Sequence, residues 1–128
     1  MKGARVRKTI VTIAVISAIT IISIMPIRVL GHALFNHSEP RVGETISSCP
    51  KEVRIWFDSP LEPSSSKVLV KNHAGERVDN LDGHVDSTDA TILEVNLPCL
   101  TRGTYQVLWN VVSLDGHGTN GSFAFTIE

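Results

Sequence analysis

Apolar and polar residues alternate in short runs along most of this chain, and Gly, Pro, Asn, Asp and Ser separate the runs. Alternation with period two marks a half-buried strand, because successive strand side chains point to opposite faces. Glu52 to Asp58 shows it, with Val53, Ile55 and Phe57 on one face and Arg54, Trp56 and Asp58 on the other. Other extended runs are predicted at Ala33 to His37 (ended by Glu39-Pro40), at Lys67 to Lys71, weakly around Val78, and at Thr91 to Leu97. The last two are Thr104 to Val112 and Gly121 to Ile127. Tyr105, Val107, Trp109 and Val111 share one face of their run, as do Phe123, Phe125 and Ile127 of theirs, and both sets read as core. "SPLEPSSS" (59–66) is a polar loop. Seven strands with turn signals at this spacing predict an all-β fold, a small β-sandwich.

The first 31 residues break this pattern. Lys2, Arg5, Arg7 and Lys8 precede an uncharged, almost wholly apolar run from Thr9 to Met25, and Val29-Leu30-Gly31 follows. A basic segment, an apolar segment and a small residue form a secretory signal peptide, with the cut expected after Gly31. The rival reading is an uncleaved anchor, although 17 residues are at the lower edge for spanning a bilayer. The expected organisation is a signal peptide at 1–31 and one domain at 32–128. The mature chain is then periplasmic or extracellular, or membrane-anchored if the segment stays.

Cleavage changes the charge balance. The mature chain keeps 13 acidic and seven basic residues, a net charge of −6. That disfavours nucleic acid and anionic membrane surfaces as partners. Cys49 and Cys99 would both face an oxidising compartment, where a disulfide is expected. Closing that loop stabilises by about 4 kcal/mol in the chain-entropy model. A two-thiolate metal site is the alternative. Met1 and Met25 both precede the cut, so the mature chain offers no thioether ligand.

Cleavage also makes His32 residue one. Its α-amine and imidazole can then chelate a single ion, and nitrogen with oxygen ligands suits tetragonal Cu(II). The tetrapeptide "LDGH" occurs twice, at 81–84 and 114–117. In the second copy Asp115 and His117 stand two apart, on one side of an extended segment. A polar turn with Asp115 capping local N–H groups is the competing explanation.

The mature start "HALFNHSEPRVGE", the strand "VRIWFDSPLE" and the closing "LTRGTYQVLWNVVSLDGHGTNGSFAFTI" together resemble the CopC family of copper-resistance proteins. The resemblance spans essentially the whole mature chain, and the closing run is its specific part. It implies a seven-stranded, Greek-key, immunoglobulin-like β-sandwich or barrel. It also implies a Cu(II) site made by an N-terminal His, through amine and ring, with the Asp and His of the closing motif. In this chain those residues are His32, Asp115 and His117. A Glu near copper in some members has no counterpart here, where Ser59 stands between Asp58 and Glu62. The family pattern does not require Cys49 and Cys99.

Three histidines remain. His37 is expected on the opposite strand face from His32. His73 reads as a turn residue, and His84, in the first "LDGH", as a loop residue. No nucleophile–base pair or phosphate-binding glycine loop stands out. The expected function is a non-enzymatic, monomeric Cu(II)-binding protein that sequesters or delivers copper outside the cytoplasmic membrane. The resemblance also implies a partner, a separate CopD-like membrane permease. The alternatives are a non-metal immunoglobulin-like adhesion or accessory domain and a His-brace copper oxygenase.

Overall fold

The computed structural model describes residues 31–128, so the predicted signal peptide, apart from Gly31, lies outside the described residues. Eight strands follow: β1 (Phe35–Glu39), β2 (Thr45–Ile46), β3 (Glu52–Phe57), β4 (Lys67–Lys71), β5 (His84–Val85), β6 (Ile92–Asn96), β7 (Gly103–Val112) and β8 (Gly118–Ile127). They form two four-stranded sheets, in the orders β1-β3-β6-β5 and β2-β8-β7-β4. All pairings are antiparallel except that of β2 with β8.

The alternation in the sequence becomes the sandwich interior. Val53, Ile55 and Phe57 of β3 are buried, as are Tyr105, Val107 and Val111 of β7 and Phe123, Phe125 and Ile127 of β8. Phe125, Ile55, Leu61 and Leu93 are among the largest fully buried side chains. Each such side chain contributes about 1.5–3 kcal/mol by leaving water. The Tyr105 hydroxyl donates to the Thr101 carbonyl at 2.7 Å, so the ring stays in the core with its polar end satisfied. The Cys49–Cys99 disulfide is formed, tying the β2–β3 connection to the loop after β6. No free cysteine remains among the described residues, which removes the thiolate metal site.

The structure differs from the expected strands in four places. β1 runs from Phe35 to Glu39, two residues later at each end than expected. β2 and β5 are only two residues long, too short to carry a periodic signal. The extended segment near Val78 is not a strand: Lys71 and Arg77 form an isolated bridge, and Val78 N–H donates to Val70 at 2.9 Å. β8 starts three residues earlier than expected, because its pairing with β7 continues to Val112↔Gly118. Gly118 and Gly121 had disguised it. Gly121 is needed inside the strand, because a Cβ there would fall within 2.8 Å of Trp109 Cε2, whose indole lies on this backbone.

Candidate metal centre

The β7–β8 hairpin ends in a tight loop. Ser113 N–H donates to the His117 carbonyl at 2.9 Å, and Gly116 N–H donates to the Ser113 carbonyl at 2.8 Å. Gly116 has φ +90°, a backbone conformation that a side chain would oppose. The turn folds Asp115 back over its own loop. Asp115 Oδ1 accepts the Ser113 hydroxyl and the His117 N–H, the latter at 3.1 Å. It also lies 3.1 Å from His117 Nδ1. The Ser113 hydroxyl, followed by the His117 N–H, holds the Asp115 carboxyl down at about 2. Asp115 is therefore anionic wherever a metal ion would meet it.

His32 reaches this loop because its arm is clamped on both sides. Leu34 N–H donates to Asp58 Oδ1 at 2.8 Å, and Asp58 N–H donates back to the Leu34 carbonyl at 3.0 Å. The Thr119 hydroxyl, two residues beyond His117, donates to the Ala33 carbonyl at 2.7 Å. Ala33 is fully buried between these contacts. The result is an edge-to-face meeting of the His32 and His117 rings, with centroids 4.6 Å apart. All three expected ligand residues, His32, Asp115 and His117, are exposed at this one end of the sandwich. Beside them a cavity of about 270 Å³ is lined by Gly31, Ser59, Pro60, Ser113, Leu114 and Asp115.

Two imidazoles and a carboxylate have the donor chemistry for a borderline divalent ion. Among the described residues, no three His, Cys, Asp or Glu side chains converge tightly enough to hold an ion as they stand. His117 Nδ1 faces Asp115 Oδ1, which Ser113 and the His117 N–H hold in place, so a shared ion requires the His117 ring to turn. The α-amine that cleavage would create is a further donor, which side-chain geometry does not include.

Asp58 is a residue whose role sequence reasoning missed, having placed it simply on the outer face of β3. Its carboxylate serves the Leu34 amide and the Ser59 hydroxyl, which makes it part of the clamp on the His32 arm. Glu62 instead bonds the Ser64 hydroxyl and the Ser65 amide in its own loop. His37 stacks on Trp56 at 4.4 Å on the outer face of its sheet.

The first "LDGH" is built differently from the second. Asp82 accepts both the backbone and side-chain amides of Asn96. His84 is a strand residue, not the expected loop residue, and its Nε2 lies 3.1 Å from Glu94 Oε1 across the β5–β6 pair. Gly83 is required for close approach, since a Cβ there would sit 2.8 Å from the Val68 carbonyl oxygen. The two copies share letters but not geometry.

The CopC domain family matches residues 35–128. The copper transport protein CutJ of Bacillus subtilis is 32% identical over 104 residues, which are 80% of this chain but only 19% of CutJ. The protein YobA of Escherichia coli K12 is 30% identical over 112 residues, 87% of this chain and 90% of YobA. Among solved structures, CopC from Methylosinus trichosporium OB3b superposes with a TM-score of 0.70 at 26% identity, covering 76% of this chain and 94% of that one. PcoC, a methionine-rich copper resistance protein from Escherichia coli, shares the fold with a TM-score of 0.60 at 21% identity, over 77% of this chain and all of its own. With a family match over residues 35–128, nearly three-quarters of its length, and a sandwich of the same architecture, this chain belongs to the CopC domain family.

Proposed function

We propose that this chain is an exported Cu(II)-binding protein that holds one ion at His32, Asp115 and His117. The observation that carries this reading is the convergence of His32 and His117, with ring centroids 4.6 Å apart and Asp115 3.1 Å from His117. Cleavage after Gly31 supplies the amine of His32. Amine, two imidazoles and a carboxylate then make a three-nitrogen, one-oxygen set, which favours Cu(II) in tetragonal geometry. Soft ligands that would favour Cu(I) are lacking: both cysteines are in the disulfide, and no Met follows Met25.

With four protein donors on the ion, the site holds copper rather than leaving positions open for oxygen chemistry. The role is storage or hand-over outside the cytoplasmic membrane, which agrees with the name of the relative CutJ, a copper transport protein. Leu34 and Leu114 are exposed apolar side chains on the two segments that carry the ligands, and they offer footing for a receiving protein such as a CopD-like permease.

Competitive titration of the chain beginning at His32, with electron paramagnetic resonance of the loaded form, tests the proposal. One tight Cu(II) per chain with a tetragonal nitrogen–oxygen spectrum is expected. Affinity should fall as acid protonates the ligand nitrogens. His117→Ala should weaken binding at least about 100-fold, beyond the loss usual for a supporting residue. Binding that His117→Ala leaves unchanged would overturn the assignment.

A further inference from the structure

Ser113 is buried, with 2% of its surface exposed, and it directly follows β7. Its backbone is fixed on three sides: a bridge to Leu61, its N–H on the His117 carbonyl at 2.9 Å, and its carbonyl on Gly116 N–H at 2.8 Å. The Ser113 hydroxyl has one proton to give and two acceptors in reach, Asp115 Oδ1 and the His117 carbonyl, the latter at 3.1 Å. That carbonyl already accepts the Ser113 N–H. The proton therefore goes to the carboxylate, where the bond is charge-assisted and stronger.

Asp115 Oδ1 thus takes the Ser113 hydroxyl, the His117 N–H and a contact from His117 Nδ1, while no hydrogen bond engages Oδ2 among the described residues. Asp115 itself is exposed on a hairpin tip. Without the buried anchor its side chain would be free to leave the loop for solvent.

We infer that Ser113 is a positioning residue for the metal centre: its hydroxyl pins one carboxylate oxygen of Asp115 against the hairpin so that the other stays presented to the ion. This rests on the proposal that Asp115 is a copper ligand. A ligand carboxylate whose orientation is fixed in advance loses less freedom when the ion binds, and supporting hydrogen bonds of this kind are worth about 10–100-fold in metal affinity.

The test is a double-mutant cycle on the chain beginning at His32, read by Cu(II) competition titration and electron paramagnetic resonance. Near-ultraviolet circular dichroism checks that each variant is folded, and Ser113→Gly replaces Ser113→Ala should alanine fail that check. Ser113→Ala is expected to lower Cu(II) affinity about 10–100-fold and to alter the copper spectrum. Ser113→Thr, which keeps the hydroxyl, is expected to bind as the parent does. In an Asp115→Ala background, Ser113→Ala should cost nothing further. Parent-like affinity and spectrum in Ser113→Ala overturn the inference, as does an equal loss in both backgrounds. A parent chain that binds no Cu(II) tightly overturns the copper reading itself, a result distinct from either.

Discussion

His32 and His117 are 85 residues apart in the chain, and their rings meet edge-to-face with centroids 4.6 Å apart. Neither ring is held by its own neighbours alone. Asp58 and Thr119 clamp the arm that bears His32, and the hairpin turn carries His117. The proposed site is therefore a property of the folded sandwich, and it should be sensitive to changes in residues that are not themselves proposed ligands.

The Asp115 carboxyl gives a prediction in acid. Its folded value of about 2 lies below the ordinary 3.8, so folding favours the ionised form. The stabilisation from this group is fully present above pH 3.8 and is lost as the pH falls towards 2. Carboxyl-carbon nuclear magnetic resonance should place the Asp115 midpoint near 2. Ser113→Ala should move it upward, because the Ser113 hydroxyl is the first cause of the depression. Asp86, also held at about 2 but by Thr88 and Asp89, should not move in that variant. An Asp115 midpoint near 4 in the parent protein would refute the hydrogen-bond arrangement.

The two "LDGH" glycines should respond differently to alanine. Gly83→Ala places a Cβ 2.8 Å from the Val68 backbone, and overpacking of this kind costs about 1–3 kcal/mol. Thermal unfolding should show that loss, while Cu(II) affinity stays at the parent value. Gly116→Ala meets no neighbouring atom but must hold φ +90°, a strain of about 1–2 kcal/mol focused on the copper loop. It should lower Cu(II) affinity. His84→Ala, which removes the ring's contacts with Glu94 and with the Asp82 carbonyl, should leave copper binding unchanged.

Gly121→Ala drives a Cβ into the Trp109 indole. Trp109 also packs against Phe57 at 5.2 Å and Phe35 at 6.3 Å, so its ring has little room to retreat. A destabilisation of about 1–3 kcal/mol is expected, with a changed near-ultraviolet dichroism of the tryptophan. An unchanged melting temperature would mean that the indole does not lie on this strand.

Replacing Cys49 and Cys99 by serine opens a cross-link between residues separated by 50 positions. The expected loss is about 2–5 kcal/mol of folding stability. Neither cysteine belongs to the proposed copper loop, so the proposed stoichiometry of one Cu(II) should be unchanged. Thermal melts and a Cu(II) titration of the double variant measure the two effects separately.

Much of this was legible in the sequence because period-two alternation records which side of a strand is buried. Val53, Ile55 and Phe57 announced their face, and so did Tyr105, Val107 and Val111. What stayed hidden was set by contacts between distant segments. Thr45–Ile46 and His84–Val85 are strands only because β8 and β6 offer them an edge. Asp58 looked like an outer-face residue, yet its carboxylate meets the Leu34 amide 24 residues away. The proposed ligands His32, Asp115 and His117 come from family resemblance. The supporting roles of Ser113, Asp58 and Thr119 needed distances.

The central claim is that copper depends on His32 being residue one, and a comparison at the N-terminus tests it most directly. The chain beginning at His32 and the same chain with its α-amine acetylated should be titrated side by side with Cu(II) against a competing chelator. The account predicts one tight Cu(II) for the free amine and an affinity at least about 100-fold weaker for the blocked form, a larger loss than supporting residues give. Equal affinity in the two forms would contradict it.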